Sequence, residues 1–237
     1  MLRLLLFPLI LALPLNRAPV PTTIEGTAVT IYISGDADVS FVDEGASIDA
    51  SLRIDLSDIQ TKFPTIVRSR KISESCKEEV TITASALRRN GDHAEAAGRA
   101  TDEQWECTGG KRQKLQSSET GSVRLRIDVA RTQDNWVAFS VTVLSVEGSA
   151  RLQKILAQNL AGPTFAKATE QALGHSLSPA MVTAPLPDDL RSLQPQINDV
   201  HFVDTGDTNI ELAVDASLTV PPDKLPLLLA WAFGGHQ

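Results

Sequence analysis

Residues Cys76 to Cys107 read CKEEVTITASALRRNGDHAEAAGRATDEQWEC, and they carry the clearest structural pattern in this chain of 237 residues. The turn-forming run Asn90 to His93 lies at the middle of the segment, between two stretches of similar length. A glycine next to an aspartate or asparagine favours a tight turn between antiparallel strands. The segment therefore predicts one long β-hairpin.

The charges along this hairpin favour one register. With Gly91-Asp92 as the two-residue turn, three pairs of residues should lie directly opposite each other: Arg88 and Glu95, Lys77 and Glu106, and Cys76 and Cys107. A turn one residue earlier, at Asn90-Gly91, would instead set Glu78 against Glu103. It would also leave the cysteines on a diagonal, about 7 to 8 Å apart, which is poor geometry for a disulfide. We therefore predict the first register.

The two cysteines of the chain, Cys76 and Cys107, predict a disulfide across the hairpin. Two thiols are too few for a metal site, and a redox-active pair would be expected in a Cys-x-x-Cys arrangement. A pair of this kind in an exported chain normally becomes a disulfide. Closing a loop of this span stabilises a fold by roughly 3 to 4 kcal/mol in the entropic model.

The first residues predict export. Arg3 precedes the apolar run Leu4 to Leu15, and the small residue Ala18 follows, in the order of a secretory signal peptide. The run is too short to cross a bilayer, which needs about 20 residues, so we expect no transmembrane span. We predict a signal peptide at residues 1–18 and a single β-rich α+β domain at residues 19–237, located in the periplasm or secreted.

The charge of the chain argues against two classes of partner. The formal net charge is −7, and the predicted signal peptide removes two of the arginines. Nucleic acids and anionic membrane surfaces bind proteins through clustered cations. We therefore expect no nucleic-acid partner.

Alternation of apolar and polar residues predicts further strands with one buried face. These strands are expected at Val29–Ile33, Ile48–Leu56, Val123–Val129, Val137–Val143, Val200–Phe202 and Ile210–Val220. The loop around Gln133 should contain three or five residues, which places the apolar residues of its two strands on one face. The acidic segment Gly35 to Gly45 is predicted to be a loop. A short helix is expected at Asp58–Phe63, with Ser57 as its N-cap and Pro64 ending it.

Helical periodicity appears after these strands. Apolar residues recur at helical spacing, are interrupted at Gly162-Pro163 and then resume, which predicts a kinked amphipathic helix from Ser149 to Leu177. If this helix and the strands enclose an apolar groove, five of its side chains should line the groove and bind the ligand: Leu152, Ile155, Leu156, Leu160 and Phe165. The run Leu225 to Phe233 is too short to span a bilayer and too apolar to remain fully exposed.

The catalytic candidates are weak. Asp204-Thr205-Gly206 and the segment beginning at Asp43 resemble the paired turns of aspartic proteases, but Glu44 and Asp207 stand where hydroxyl and small residues are expected. Aspartate and glycine are also what ordinary turns contain. The four histidines are scattered without ligand spacing, and neither a serine-nucleophile motif nor a phosphate-binding glycine loop occurs. We therefore predict no enzyme activity, no metal site and no cofactor.

The order of elements resembles the tubular lipid-binding superfamily, which includes bactericidal permeability-increasing proteins and small bacterial envelope relatives. The resemblance is carried by the extended strands Ile48–Leu56, Cys76–Cys107 and Ile210–Val220, by the passage Leu52–Pro64, and by the helix Ser149–Leu177. It implies an α+β fold in which a long, curved antiparallel sheet wraps on or packs against one long kinked amphipathic helix. It also implies an apolar tunnel for acyl chains.

Three functions follow as expectations. The first is a non-enzymatic exported envelope protein that binds an apolar ligand, such as a lipid or fatty acid. The second is a structural or interaction module whose sheet edges and apolar tail dock to another envelope protein. The third, an aspartic-type hydrolase, would require Asp43 and Asp204 to lie side by side.

Overall fold

The computed structural model describes residues 10–42, 45–67, 70–135, 137–160, 183, 186, 188–233, and the statements below concern these residues. They form ten strands in two five-stranded sheets, with short helices at the ends of strands. Every neighbouring pair of strands is antiparallel.

Sheet A joins the two ends of the described chain. Its order is β1-β2-β3-β10-β9. The strands are β1 (Ile10–Ile24), β2 (Thr27–Val42), β3 (Gly45–Asp55), β9 (Gln196–Phe202) and β10 (Glu211–Val220). The pairing of β3 with β10 is the long-range contact that brings the C-terminal hairpin beside the N-terminal strands.

Sheet B is a meander whose strands pair in chain order, β4-β5-β6-β7-β8. The strands are β4 (Arg70–Glu74), β5 (Glu78–Asn90), β6 (His93–Thr108), β7 (Lys111–Arg131) and β8 (Val137–Glu147). Helix α1 (Ser57–Ile66) connects the sheets and packs against β2 of sheet A and β5 of sheet B. The prediction that Pro64 ends this helix is wrong, because the helix continues through Pro64 to Ile66. The sheets also meet where β7 of sheet B contacts β9 of sheet A. There the side chain of Asn135 forms hydrogen bonds with the backbone of Pro195 and Ile197.

The remaining described helices are α2 (Ala150–Leu160), α3 (Asp188–Arg191) and α4 (Leu225–Phe233), and a 3-10 turn (Pro222–Lys224) precedes α4. Helix α2 contacts β4 and β8, the two edge strands of sheet B.

The predicted fold class is wrong. The described chain is mostly strand, divided between two sheets, and its longest helix is α2 with 11 residues, so there is no single sheet wrapped on one long helix. The helical pattern correctly located the start of α2, but residues 161–182, where the predicted kink and second half fall, lie outside the described residues. Apolar residues at helical spacing predict that one face of a helix is buried. They do not predict how many sheets the chain forms or which sheet packs against that face.

The predicted hairpin register is confirmed at the turn and wrong further along. Asn90 pairs with His93 around Gly91-Asp92, and Arg88 pairs with Glu95. A bulge at Ser85 then shifts the register by one residue, so that Glu78 lies opposite Gln104.

The predicted pairing of Lys77 with Glu106 is therefore wrong, because the carbonyl oxygen of Lys77 accepts a hydrogen bond from Trp105 N at 2.8 Å. The cysteines are nevertheless bonded, with Cα atoms 5.8 Å apart. Cys76 precedes β5 and is free of the strand register, and β6 is irregular around Trp105.

Two further predictions concern loops. The five residues between Arg131 and Val137 make the longer of the two predicted connections between β7 and β8, and the apolar residues of the two strands share one face as expected. The acidic segment Gly35 to Gly45 was predicted to be a loop, but residues 35–42 continue β2 and pair with β3. Asp36 and Asp38 can occupy a strand because their side chains lie on its solvent face.

Candidate functional site

An apolar groove lies between helix α1 and the inward face of sheet B. Its unfilled space is about 840 Å³, counting the part that is open to solvent. Helix α1 contributes Ile59, Phe63 and Ile66, and β7 contributes Val123, Leu125 and Ile127. Glu25, in the β1–β2 turn, is the ionisable residue among the described lining residues.

Small residues on sheet B make room for this groove. The inward face of β6 carries Ala94, Ala96, Gly98 and Ala100 in alternation, and Ala84 continues the small-residue floor on β5. Ala84, Ala96 and Gly98 line the groove directly. Because their side chains occupy little volume, α1 and sheet B can be in contact at the rim of the groove while space remains between them.

The inward face of sheet B becomes acidic beyond Ala100. Glu78, Asp102 and Glu119 lie on the neighbouring strands β5, β6 and β7, close to the first turn of α2. Ser149 donates hydrogen bonds from its backbone N and its Oγ to the carboxylate of Glu119, both at 2.6 Å. Arg151 lies between Glu78, at 2.9 Å, and Asp102, at 3.2 Å.

Asp102 is the unusual member of this cluster. Its side chain is fully buried, and within the described part of the chain neither carboxylate oxygen accepts a well-aligned hydrogen bond. Burial raises the pKa of Asp102 above its ordinary value of 3.8, and the nearby Glu78 and Glu119 add to the rise, whereas Arg151 and the side chain of Gln104 oppose it. The first turn of α2 is therefore held on sheet B by one arginine shared between two carboxylates.

The predicted ligand wall lies mostly on α2. Leu152 and Leu156 are fully buried, and Leu152 packs over Gly121, where an added Cβ would lie 2.9 Å from its Cδ2 atom. Ile155 packs partly buried against the core. The side chain of Leu160 and all of Phe165 lie outside the described residues.

None of the described residues that line the groove belongs to α2. The role of these five residues in ligand binding stays a prediction. Sequence reasoning missed the α1–sheet B groove, although the alternating Ala94, Ala96, Gly98 and Ala100 were a visible signal for it.

A second cluster secures the outer end of sheet B. The disulfide joins Cys76, just before β5, to Cys107 near the tip of the long β6–β7 hairpin. Arg112 donates to the backbone oxygen of Ser75 at 2.9 Å and pairs with Glu79, whose pKa it lowers. The disulfide and Arg112 therefore hold the same part of the hairpin.

The candidate catalytic residues are not brought together in the described residues. The side chain of Asp204 is 74% exposed, accepts a hydrogen bond from Gly206 N and pairs with Arg89 at 2.8 Å. Asp43 lies outside the described residues, so its distance from Asp204 is not defined. No group of three or more potential metal ligands occurs in the described parts of the chain.

No protein-family model matches this chain, and neither a curated protein nor a solved structure matches it. These findings neither support nor contradict the resemblance to the tubular lipid-binding superfamily. Within the described ranges, no helix is both long and apolar enough to cross a membrane.

Proposed function

We propose that this chain is an exported, non-enzymatic protein that binds an apolar ligand, such as the acyl chain of a lipid, in the groove between α1 and sheet B. The observation that carries this proposal is the composition of the groove. Of its 16 described lining residues, 15 are apolar or glycine, and the remaining residue is Glu25. Apolar walls with few polar groups are typical of sites for hydrophobic small molecules.

The size of the groove supports a ligand rather than a packing defect. Ordinary protein interiors contain few voids larger than a water molecule. The space in this groove that a water-sized sphere can occupy is about 80 Å³, several times the roughly 10 to 15 Å³ that one water molecule needs. A flexible acyl chain suits such a site because it needs no directional polar partner along its length.

Export is supported by two features of the chain. The first 18 residues have the order of a signal peptide, and the chain carries a cysteine pair at disulfide distance, which is typical of oxidising compartments. Cleavage after Ala18 would leave Pro19 to Ile24 of β1 and their pairing with β2. The groove residues Ile24 and Glu25 would therefore remain in the mature protein.

The test introduces a larger side chain into the groove and, as a control, the same larger side chain into the packed interior. Ala96 and Ala100 lie on the same face of β6, but Ala96 lines the groove whereas Ala100 is fully buried and does not. Ala96→Leu should weaken the binding of a fluorescent long-chain fatty acid about tenfold or more while the protein stays stable. Ala100→Leu should overpack the interior and cost roughly 1 to 3 kcal/mol of stability, while the folded fraction binds the probe normally.

Fluorescence titration and urea unfolding of the purified full chain give the two readouts. The proposal fails if the natural protein neither carries extractable lipid nor binds the probe. It also fails if Ala96→Leu destabilises the fold as much as Ala100→Leu and leaves probe binding unchanged, because the groove would then be an ordinary core.

A further inference from the structure

Helix α4 is apolar in sequence on every side. Its nine residues, LPLLLAWAF from Leu225 to Phe233, include no charged and no hydrogen-bonding side chain apart from the indole of Trp231. A helix of this composition is normally buried in a protein or in a membrane. Here Leu228 is the fully buried residue of α4.

The other side of α4 presents a continuous apolar surface to solvent. Leu227 is 40% exposed, Leu229 37% and Phe233 66%, which makes them three of the five large apolar residues found exposed in the described chain. Successive helical residues are about 100° apart, so these three side chains fall within one half of the helix circumference, together with exposed Pro226 and Ala230. The half that includes Leu228 packs on the protein.

Charges next to α4 are acidic or already engaged. Asp188, Asp189 and Asp223 lie in the neighbouring α3 and the 3-10 turn. The described basic residues of these two elements are engaged: Lys224 donates from Nζ to the backbone oxygen of Asp189 and to Ser192 Oγ, both at 2.9 Å, and Arg191 pairs with Asp188 at 2.7 Å. The acidic residues around α4 would repel an anionic surface. An uncharged apolar partner, such as the hydrocarbon of a lipid, fits this face better.

We infer that the exposed face of α4, defined here as Pro226, Leu227, Leu229, Ala230 and Phe233, docks on the surface of a zwitterionic lipid bilayer. The helix lies in the plane of the interface and does not cross it, because nine residues span only about 14 Å. Its inner face packs on the protein, so α4 needs no polar face of its own. A stable protein–protein interface buries about 800 Å² on each partner, roughly 20 to 30 residues a side, whereas this face consists of five residues of one short helix.

This docking surface is independent of the groove. Helix α1 follows the end of β3 at Asp55, whereas α4 follows the opposite end of the paired strand β10 at Val220. The two helices therefore begin at opposite ends of that strand pair, and no described residue of α4 lines the groove. Loss of one function should leave the other intact.

The experiment is sedimentation of the purified full chain with phosphatidylcholine vesicles, using two matched double variants. Leu227→Gln with Phe233→Gln removes the large exposed side chains at the two ends of the α4 face. Leu115→Gln with Leu144→Gln removes two leucines of similar exposure, 39% and 46%, from strands of sheet B. The first pair should lower the vesicle-bound fraction at least about tenfold, and the second pair should leave it unchanged.

Three results would overturn the inference. The natural chain could fail to sediment with the vesicles, or both double variants could lose binding equally. The natural chain could also form a dimer in solution that the α4 variant alone dissolves, in which case a second copy occupies this face. Fatty-acid binding should be normal in the α4 variant, which separates failure of this inference from failure of the groove proposal.

Discussion

Sheets A and B are built from the same kind of amphipathic antiparallel strand, yet their inward faces differ in side-chain volume. In sheet A the inward positions of β3 and β10 are mostly large, and Leu52, Ile54 and Leu212 are almost completely buried. In sheet B the inward positions of β6 from Ala94 to Ala100 are alanine and glycine, and the groove lies above Ala96 and Gly98. Period-two alternation predicts which face of a strand is turned inward. The volume of the inward residues then determines whether that face becomes a filled core or a cavity wall.

The largest expected effect comes from truncating one leucine in each sheet. Leu212→Ala removes a fully buried side chain from β10 and should cost about 3 to 5 kcal/mol, because a closed cavity remains. Leu125→Ala widens an existing groove, so it should cost about 2 kcal/mol, close to the transfer free energy alone. Urea unfolding of both variants measures the difference. Equal losses would mean that the two inward faces are packed alike.

The second effect concerns the disulfide, which belongs to sheet B. Replacing Cys76 and Cys107 with serine releases a loop of 31 residues and should lower the free energy of unfolding by about 3 to 4 kcal/mol. Amide exchange should accelerate first in the outer β6–β7 hairpin and least in β3 and β10 of sheet A. Uniform acceleration in both sheets would show that they unfold as one unit and would weaken the comparison.

The smallest expected effect is a difference in how two carboxylates, on opposite faces of β6, make stability depend on pH. The raised pKa of buried Asp102 means that its contribution to stability is complete below its ordinary value of 3.8 and is lost as the pH rises through the folded-state pKa. Asp102→Asn should therefore gain stability relative to the natural chain as the pH increases.

Glu95, on the opposite face of the same strand, provides the control with the opposite sign. Hydrogen bonds from Arg124 and then Asn90 lower its pKa from 4.5 to about 2, so its contribution is present above 4.5 and is lost as the pH falls towards 2. The stability deficit of Glu95→Gln should accordingly shrink in acid. Unfolding curves between pH 2 and 7 test both variants, and slopes of the same sign would contradict this assignment of the two faces.

Much of the local structure was predictable from residue type and spacing. The Gly91-Asp92 turn, the pairing of β7 with β8, the start of α2 and the cysteine pair all follow from short-range patterns, and the structure contains each of them. Local patterns carry this information because turn conformation and face alternation depend mainly on residues close together in the chain.

The candidate site was not predictable in the same way. The groove brings together α1 and strands of sheet B, and its walls come from segments as far apart in sequence as Ile24 and Val141. A cavity is the space that remains after distant elements have packed, so no single segment contains it. The alternating small residues on β6 were its one local sign, and they could equally have allowed a helix to approach closely.

The sequence by itself determined the strand faces, the hairpin turn and the partnership of Cys76 with Cys107. Only the tertiary structure decided that the strands divide into two sheets, because that depends on β10 pairing with β3 rather than extending sheet B. It also set the bulge at Ser85 and the groove beneath α1. Alternation specifies which side of a strand is buried, whereas the neighbour that buries it is chosen by the total free energy of packing all elements together.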